Sequence, residues 1–491
     1  MASVDLAERL KTEQIDSLKE KVRLLISLSW PAMMAQLSTI LMEYIDASMV
    51  GSLGAVSSAA IGLVATTTWL MWGLGTATVT GFSVQVAHKV GAGDDIGARM
   101  VLRRSIVITL IISMIVALVG VGISEALPHW LGGKGEVCGL STSYFFVFSA
   151  TLPAMFITFL GSSMLRCSGN MVLPGIANVL MCILDVVFNF FLIFETREVT
   201  FMSLSLAIPG AGLGVTGAAL GSFCAVVCSG LWMWIHLICK SKHLSYPYSH
   251  RFTKIKRRGL NIFRHAATIS WPVALERIVM CGAQISITAI VAPLGNAAIA
   301  ANAFAVTAEG LCYMPGYGIS DAATTLVGQS LGAGRKKLTI SFANIAMISG
   351  ILIMGVLSFV MWLLAPEMMA LFSPVEEIRA LGSMALRVEA WAEPMFGAAI
   401  VGYGIFIGAG YTLVPASINF TSIWCVRLTL SAILAPVLGL YGVWLAMCIE
   451  LCVRGTVFII VFFRKRWIAK ALNFAAPQNE EVSEELIESD Y

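Results

Sequence analysis

Charge is what this sequence has least of. Only 12% of its 491 residues are Asp, Glu, Lys or Arg, and the mean hydropathy is +0.84. A soluble domain carries roughly 25% charged residues, because its surface must face water. The shortage excludes an ordinary soluble fold and makes lipid the solvent for most of the chain. The net charge of +3 is too small to call for a nucleic-acid partner. A cysteine framework is also missing. Cys224 and Cys228, like Cys448 and Cys452, lie four apart inside apolar runs, where cysteine packs as a small hydrophobe. Their spacing fits neither a metal site nor a disulfide scaffold. Residues 1–23 lack the short apolar core and small-residue cleavage site of a signal peptide, and read as a retained cytosolic segment. No nucleophile–base pair or metal cluster stands out, so no enzyme is expected, and no cofactor beyond a transported cation.

What the chain does have is long apolar runs. A membrane-spanning helix needs about 20 apolar residues. Twelve stretches qualify: 24–48, 56–87, 105–130, 142–165, 172–195, 211–237, 267–292, 298–330, 339–364, 381–406, 413–437 and 440–463. Basic clusters test this count, since Lys and Arg collect in cytosolic loops. They precede the first run, lie at Lys89–Arg104, fill a central loop from Lys240 to Arg264, follow run eight at Arg335–Lys337, and follow run twelve at Arg464–Lys470. With twelve spans every cluster falls on one side, so both termini are expected in the cytosol. The tail 464–491 is acidic towards its end and is expected to be disordered.

The two halves repeat. Ser29-Trp30-Pro31 recurs as Ser270-Trp271-Pro272, 241 residues on. The same offset carries Gly75 onto Gly316, Gly91-Ala92-Gly93 onto Gly332-Ala333-Gly334, Pro153 onto Pro394, Pro174 onto Pro415 and Asn178 onto Asn419. Each half has an even number of spans, so both sit the same way up, related by an axis along the membrane normal. The expected fold is all-α, with twelve spans in two six-helix lobes around a central cavity. The segments are a cytosolic start (1–23), a first lobe (24–237), a basic linker (238–266), a second lobe (267–463) and a tail (464–491). Gly91, Gly93, Gly332 and Gly334 close long helices and are expected to permit left-handed helix ends.

Intramembrane carboxylates are the primary functional candidates, because a charge at the bilayer centre costs about 2.5–3.5 kcal/mol. The first lobe offers Asp46 on span one, and Asp185 with Asn189 four residues on, sharing a face of span five. Pro31 precedes Asp46 by 15 residues and should loosen span one and allow it to kink. Ser222 adds a hydroxyl on span six. Under the repeat Asp46, Asp185 and Asn189 map onto Ile287, Val426 and Leu430, and Ser222, with the longer preceding loop allowed for, onto Met447. The polar group occurs in one lobe only, which favours a function over a part in the architecture. The second lobe carries Glu276, Glu309, Asp321, Glu389 and Glu393, with Arg277 and Arg387 nearby. These carboxylates, with Tyr313 and Tyr317, are expected to line a cavity and attract cations, or else to pair with an arginine. Glu450 and Arg454 are expected to form a plain ion pair.

The motifs "DASMVGSLG" at 46–54, "VAHKVGAG" at 86–93, "LRCSGNMVLP" at 165–174 and "TTLVGQSLGAG" at 324–334 resemble those of the multidrug and toxic compound extrusion (MATE) family, from about residue 20 to 465. The resemblance implies an antiporter that expels small organic, often cationic and amphipathic, compounds in exchange for H+ or Na+. It also implies a cation site at Asp46, Asp185, Asn189 and Ser222. The span-five pair stands in exchanged order, Asp185 where the family often has Asn and Asn189 where it often has Asp. A glutamate that some members carry on span seven is replaced here by Met280. The expected setting is a multi-pass cell-membrane protein acting as a monomer. A flippase for lipid-linked saccharides, which shares the two-lobe plan, is the alternative. It would want a strongly basic cavity, whereas the intramembrane charges here are mainly acidic.

Overall fold

The computed structural model describes residues 15, 17–201, 204–245, 258–468 and 471. The far N-terminus, the middle of the basic linker and the acidic tail lie outside the described residues. Long helices dominate, as the apolar runs require. The first six are α1 (Leu18–Gly51), α2 (Ala55–Ala92), α3 (Asp95–Ile123), α4 (Glu136–Cys167), α5 (Val172–Ile193) and α6 (Gly214–Lys240). The second six are α7 (Arg258–Val291), α8 (Asn296–Gly332), α9 (Lys336–Phe372), α10, α11 (Leu413–Leu438) and α12 (Leu440–Phe463). Among the described residues, eleven helices are long and apolar enough to cross a membrane. The twelfth crossing, α10, is broken. Its halves Glu376–Glu389 and Glu393–Gly408 meet at 61°, and Glu389 and Glu393 flank the break. A second irregularity lies in α11, where Ser422–Leu428 winds as a π-helix.

Most spans extend past the apolar runs because their ends are polar yet still helical. Asp94 caps α3 by accepting the Gly97 amide at 2.7 Å, which satisfies one of the orphan donors of a helix start. A hairpin of β1 (Glu195–Phe201) and β2 (Leu204–Ala211) joins α5 to α6. No strand was read from the sequence there. The hairpin accounts for the shift of the repeat offset before Ser222, since the second lobe passes from α11 to α12 with no such insertion.

The turns after α2 and α8 and the described start of the linker after α6 lie at one end of the bundle, the basic end. There the lobes meet closely, and the repeat becomes visible as geometry. His88 Nε2 lies 2.9 Å from the Gly408 carbonyl. Its equivalent 241 residues on, Gln329, donates through Nε2 to the Cys167 carbonyl at 2.8 Å; Cys167 and Gly408 are equivalents too. Two of the four motif glycines have positive φ, Gly93 at 76° and Gly334 at 70°. Gly91 and Gly332 correct the sequence reading, because neither adopts a left-handed conformation. A Cβ on Gly91 would stand 2.1 Å from the Gln329 carbonyl oxygen, and one on Gly332 2.1 Å from that of His88. They are glycine because α2 and α8 cross there with backbones touching. Further cross-lobe bonds in this half run from Gln85 Nε2 to the Ile262 carbonyl (3.1 Å) and from the Gly81 amide to Ser270 Oγ (3.1 Å).

Candidate functional site

Near the opposite end of the first lobe, α1, α5 and α6 bring the four predicted oxygen-bearing residues together. Asp46 lies on the last turns of α1. Asp185 and Asn189 share the inner face of α5 and are 1% and 0% exposed. Asn189 Nδ2 donates to Asp46 Oδ1 at 2.9 Å and to Asp185 Oδ2 at 3.0 Å. One amide thus bridges two carboxylates. Ser222 reaches Asp185 from α6. Gly221 makes the close packing possible, since a Cβ there would fall 2.0 Å from Asn189 Oδ1. Asp185 Oδ1 and Asn189 Oδ1 are buried with no hydrogen-bond partner. Buried polar atoms are rarely left so. Two carboxylates facing one amide repel each other unless a positive charge sits with them. Two carboxylates, an amide oxygen and a hydroxyl form an all-oxygen donor set, which suits a hard cation or a proton.

The sequence reading missed two neighbours of this cluster. Glu43, one turn before Asp46, is exposed, and Tyr144 of α4 lies within electrostatic range of both aspartates. Glu43 was legible as a carboxylate at i−3 from Asp46. Tyr144 was not, because nothing local marks which face of α4 turns inward. Pro31 sits inside an α1 that continues unbroken on either side. Its carbonyl is packed by α5, where a Cβ on Gly175 would lie 3.0 Å away.

The second-lobe residues separate into three groups. Glu276 is 5% exposed and accepts from Tyr403 Oη at 2.5 Å and Asn419 Nδ2 at 2.6 Å. Asn419 is the repeat equivalent of Asn178, which donates to the Ala35 carbonyl at 2.7 Å. Ala35 is in turn the equivalent of Glu276. One scaffold contact is therefore reused, with a carboxylate in place of a carbonyl. Arg277 reaches across to the first lobe, its side chain 3.1 Å from where a Cβ on Gly73 would lie.

Asp321 is not free to meet a cation. Arg166 Nη1 of α4 holds its Oδ2 at 2.7 Å across the lobe boundary, and Thr325 Oγ1 donates to the Arg166 carbonyl at 3.2 Å. The third group is Glu309, Glu389, Glu393, Arg427, Glu450 and Arg454. Glu389 and Glu393 are 0% exposed, which corrects the expectation that they line an open cavity. Arg387 corrects another. Two residues from Glu389 on one helix, it points the other way, with its guanidinium 5.6 Å from the Trp362 ring centroid. Glu450 does pair with Arg454 (Nε to Oε1, 3.0 Å) and also accepts from Ser422 Oγ at 2.7 Å. Tyr313 and Tyr317 are half-buried, in edge contact at 6.0 Å, and Tyr313 also meets Phe396 at 5.7 Å.

A twelve-span bundle in two repeated lobes, with buried carboxylates and cross-lobe contacts gathered at one end, defines a membrane carrier. The profile of the MatE family matches residues 31–191 and 272–433, two stretches related by the internal repeat. The chain belongs to this family, the MATE transporters. It is similar to a Thermotoga maritima protein described as probable multidrug resistance protein NorM, with 23% identity over 94% of this chain and 96% of that one. It is similar as well to the multidrug export protein MepA of Staphylococcus saprophyticus, with 22% identity over 89% and 93%. A solved MATE transporter of the MOP superfamily in an outward-facing conformation superposes with a TM-score of 0.82, at 22% identity over 94% of this chain and 98% of that one.

Proposed function

We propose that this protein is a secondary active antiporter that exports small organic compounds, chiefly cationic and amphipathic ones, in exchange for H+ or Na+. The observation that carries the reading is the Asp46–Asn189–Asp185 bridge with its unpartnered buried oxygens. The relatives named for multidrug resistance and export supply the substrate class. By the bias of basic residues, the basic end faces the cytosol in the cell membrane, and the arrangement described above is closed on that side.

In the cycle we propose, a cation enters from outside and joins Asp46, Asp185, Asn189 and Ser222. Its charge removes the repulsion between the carboxylates and their need for water. Span α1 then repacks against α5, bending near Pro31. The first-lobe wall moves inward and displaces the substrate outward. Tyr313 and Tyr317 offer ring faces to a flat or cationic substrate, and Glu43 adds a negative charge on the first-lobe side. Cation release to the cytosol, with the basic-end contacts opened, resets the carrier acting as a monomer. The test is substrate efflux from proteoliposomes under separately imposed pH and sodium gradients. Asp46→Asn should remove the gradient dependence, and gradient-driven efflux at the wild-type rate in that variant would refute the assignment.

A further inference from the structure

Each lobe carries an open groove at the end of the bundle away from the basic end, and neither has a part in the cycle above. In the first lobe the groove runs between α3, α4 and α6 and measures about 500 Å³; in the second it runs between α9, α10 and α12 and measures about 470 Å³. The two are related by the repeat. Val121, Ser143, Phe146 and Val147 of the first stand 241 residues before Trp362, Met384, Arg387 and Val388 of the second, and Thr216 precedes Tyr441 by the shorter offset that follows the hairpin. The scaffold therefore supplies the groove twice, but its chemistry differs between the copies. The charged residue of the first groove is Glu125, and that of the second is Arg387. The second also has Trp362, Trp391 and Tyr441, where the first lobe has Val121, Ala150 and Thr216.

Arg387 is exposed, yet it is held in the groove. Its Nε donates to the Trp362 carbonyl at 3.4 Å, and its guanidinium lies over that residue's ring. Among the described residues, no carboxylate pairs with Arg387, and no hydrogen-bond partner meets its two terminal nitrogens, the indole N–H groups of Trp362 and Trp391, or the Tyr441 hydroxyl. Each of these groups can donate a hydrogen bond. A cation on a membrane-facing surface calls for a counter-charge, and buried Glu389 on the other side of α10 does not supply one. The level of the groove is set by helix length. At 1.5 Å per residue, Trp362 lies about 39 Å along α9 from Lys336, and Tyr441 about 33 Å along α12 from Phe463. The apolar core of a bilayer is about 30 Å thick, so the groove opens at the headgroup level. Val388 and Leu445 add apolar lining. Exposed Val356 and Phe359 on α9, and Ile449 and Val453 on α12, continue an apolar face towards the middle of the membrane.

We propose that the groove between α9, α10 and α12 binds one anionic phospholipid, from the leaflet remote from the basic end, with its phosphodiester on Arg387. A guanidinium presents paired N–H donors that match two phosphate oxygens. The indole N–H groups and the Tyr441 hydroxyl serve the remaining phosphate and glycerol oxygens, and the acyl chains lie along the apolar strips of α9 and α12. One uncompensated positive charge matches a headgroup with one net negative charge, such as phosphatidylglycerol. A zwitterionic headgroup would bring an ammonium to a groove with no acidic side chain to receive it. The first-lobe groove, with Glu125 and no cation, disfavours the same lipid. In the orientation proposed above this is the outer leaflet, but the binding itself depends neither on that orientation nor on the antiport reading.

The test is native mass spectrometry of the full-length protein in detergent, titrated with a phosphatidylglycerol and, separately, with a phosphatidylcholine. Wild type should take up one phosphatidylglycerol ahead of any others and prefer it to phosphatidylcholine. Arg387→Gln should weaken that first binding step about tenfold, the loss expected for a charge-assisted hydrogen bond. Arg379→Gln removes a charge from the same half of α10 outside the groove and should bind as wild type does. Wild-type affinity in Arg387→Gln would overturn the proposal. So would equal losses in the two glutamine variants, which would mean diffuse attraction, and so would equal affinity for the two lipids. Thermal unfolding checks that each variant is folded. Should Arg387→Gln fail to fold, Arg387→Lys reads the same step, and it should weaken that step several-fold because an ammonium cannot reproduce the paired contact; wild-type affinity there would count against the site. Lipid uptake is read without transport, so a failure of the antiport assignment would leave this result standing.

Discussion

Removing one partner of the Arg166–Asp321 ion pair should loosen the basic end. The contact joins α4 of one lobe to α8 of the other at 2.7 Å, and its repeat equivalents, Ile407 and Thr80, cannot form a second copy. At an effective dielectric constant of about 20, two unit charges 4 Å apart attract by about 4 kcal/mol. The two side chains are 30% and 33% exposed, so screening and side-chain entropy reduce the net value to about 1 kcal/mol. That corresponds to about a fivefold shift in the balance between closed and open basic ends. Spin labels on the loops after α2 and α8 would report the two populations by pulsed dipolar spectroscopy. Arg166→Ala and Asp321→Ala should each raise the open fraction about fivefold. The double variant should go little further, and exchanging the two charges should restore closure. Fully additive effects in the double-mutant cycle would show that the pair is not a unit and refute the reasoning.

The glycine crossing at the same end should tolerate no side chain. Gly332→Ala places a Cβ against the His88 carbonyl and should destabilise closure by about 1–3 kcal/mol. Gly122→Ala, with nothing within 4 Å, should unfold thermally as wild type does. In the second lobe, Tyr403→Phe removes a donor from buried Glu276 and should cost about 1–3 kcal/mol, read as a lower unfolding temperature in detergent. Asn189→Leu removes the amide that bridges Asp46 and Asp185. It should abolish cation-dependent efflux while leaving expression and substrate binding in place, as measured by transport beside equilibrium binding.

The scaffold was legible in the sequence because the bilayer fixes helix length and the repeat fixes register. The Ser-Trp-Pro motifs, the crossing glycines and the Asn178/Asn419 pair all recur at one spacing, and the structure turns that spacing into paired contacts, across the lobes where α2 and α8 cross and within each lobe at Asn178 and Asn419. The first-lobe oxygens could be read as a group since Asp185 and Asn189 share a helix face and all four residues lack counterparts. Less was legible where contacts depend on which face turns inward. Arg166 meets Asp321 from 155 residues away, and no local pattern announces it. Arg427 was overlooked because it is a single charge in an apolar run, turned by a π-helix that hydropathy cannot reveal. The break in α10 was hidden for the same reason, since its two halves together still count as one apolar span. The β1–β2 hairpin left its trace only as a change in the repeat offset.

The account stands on Asp46 and Asp185 forming the switch that ties cation entry to export. The most direct measurement is efflux of a cationic dye from proteoliposomes, started by a pH jump in one set and a sodium jump in another, for wild type and for Asp46→Asn. The account predicts that one of the two jumps drives wild-type efflux and that neither drives the variant, which still binds dye. Efflux from the variant at the wild-type rate after either jump would contradict it.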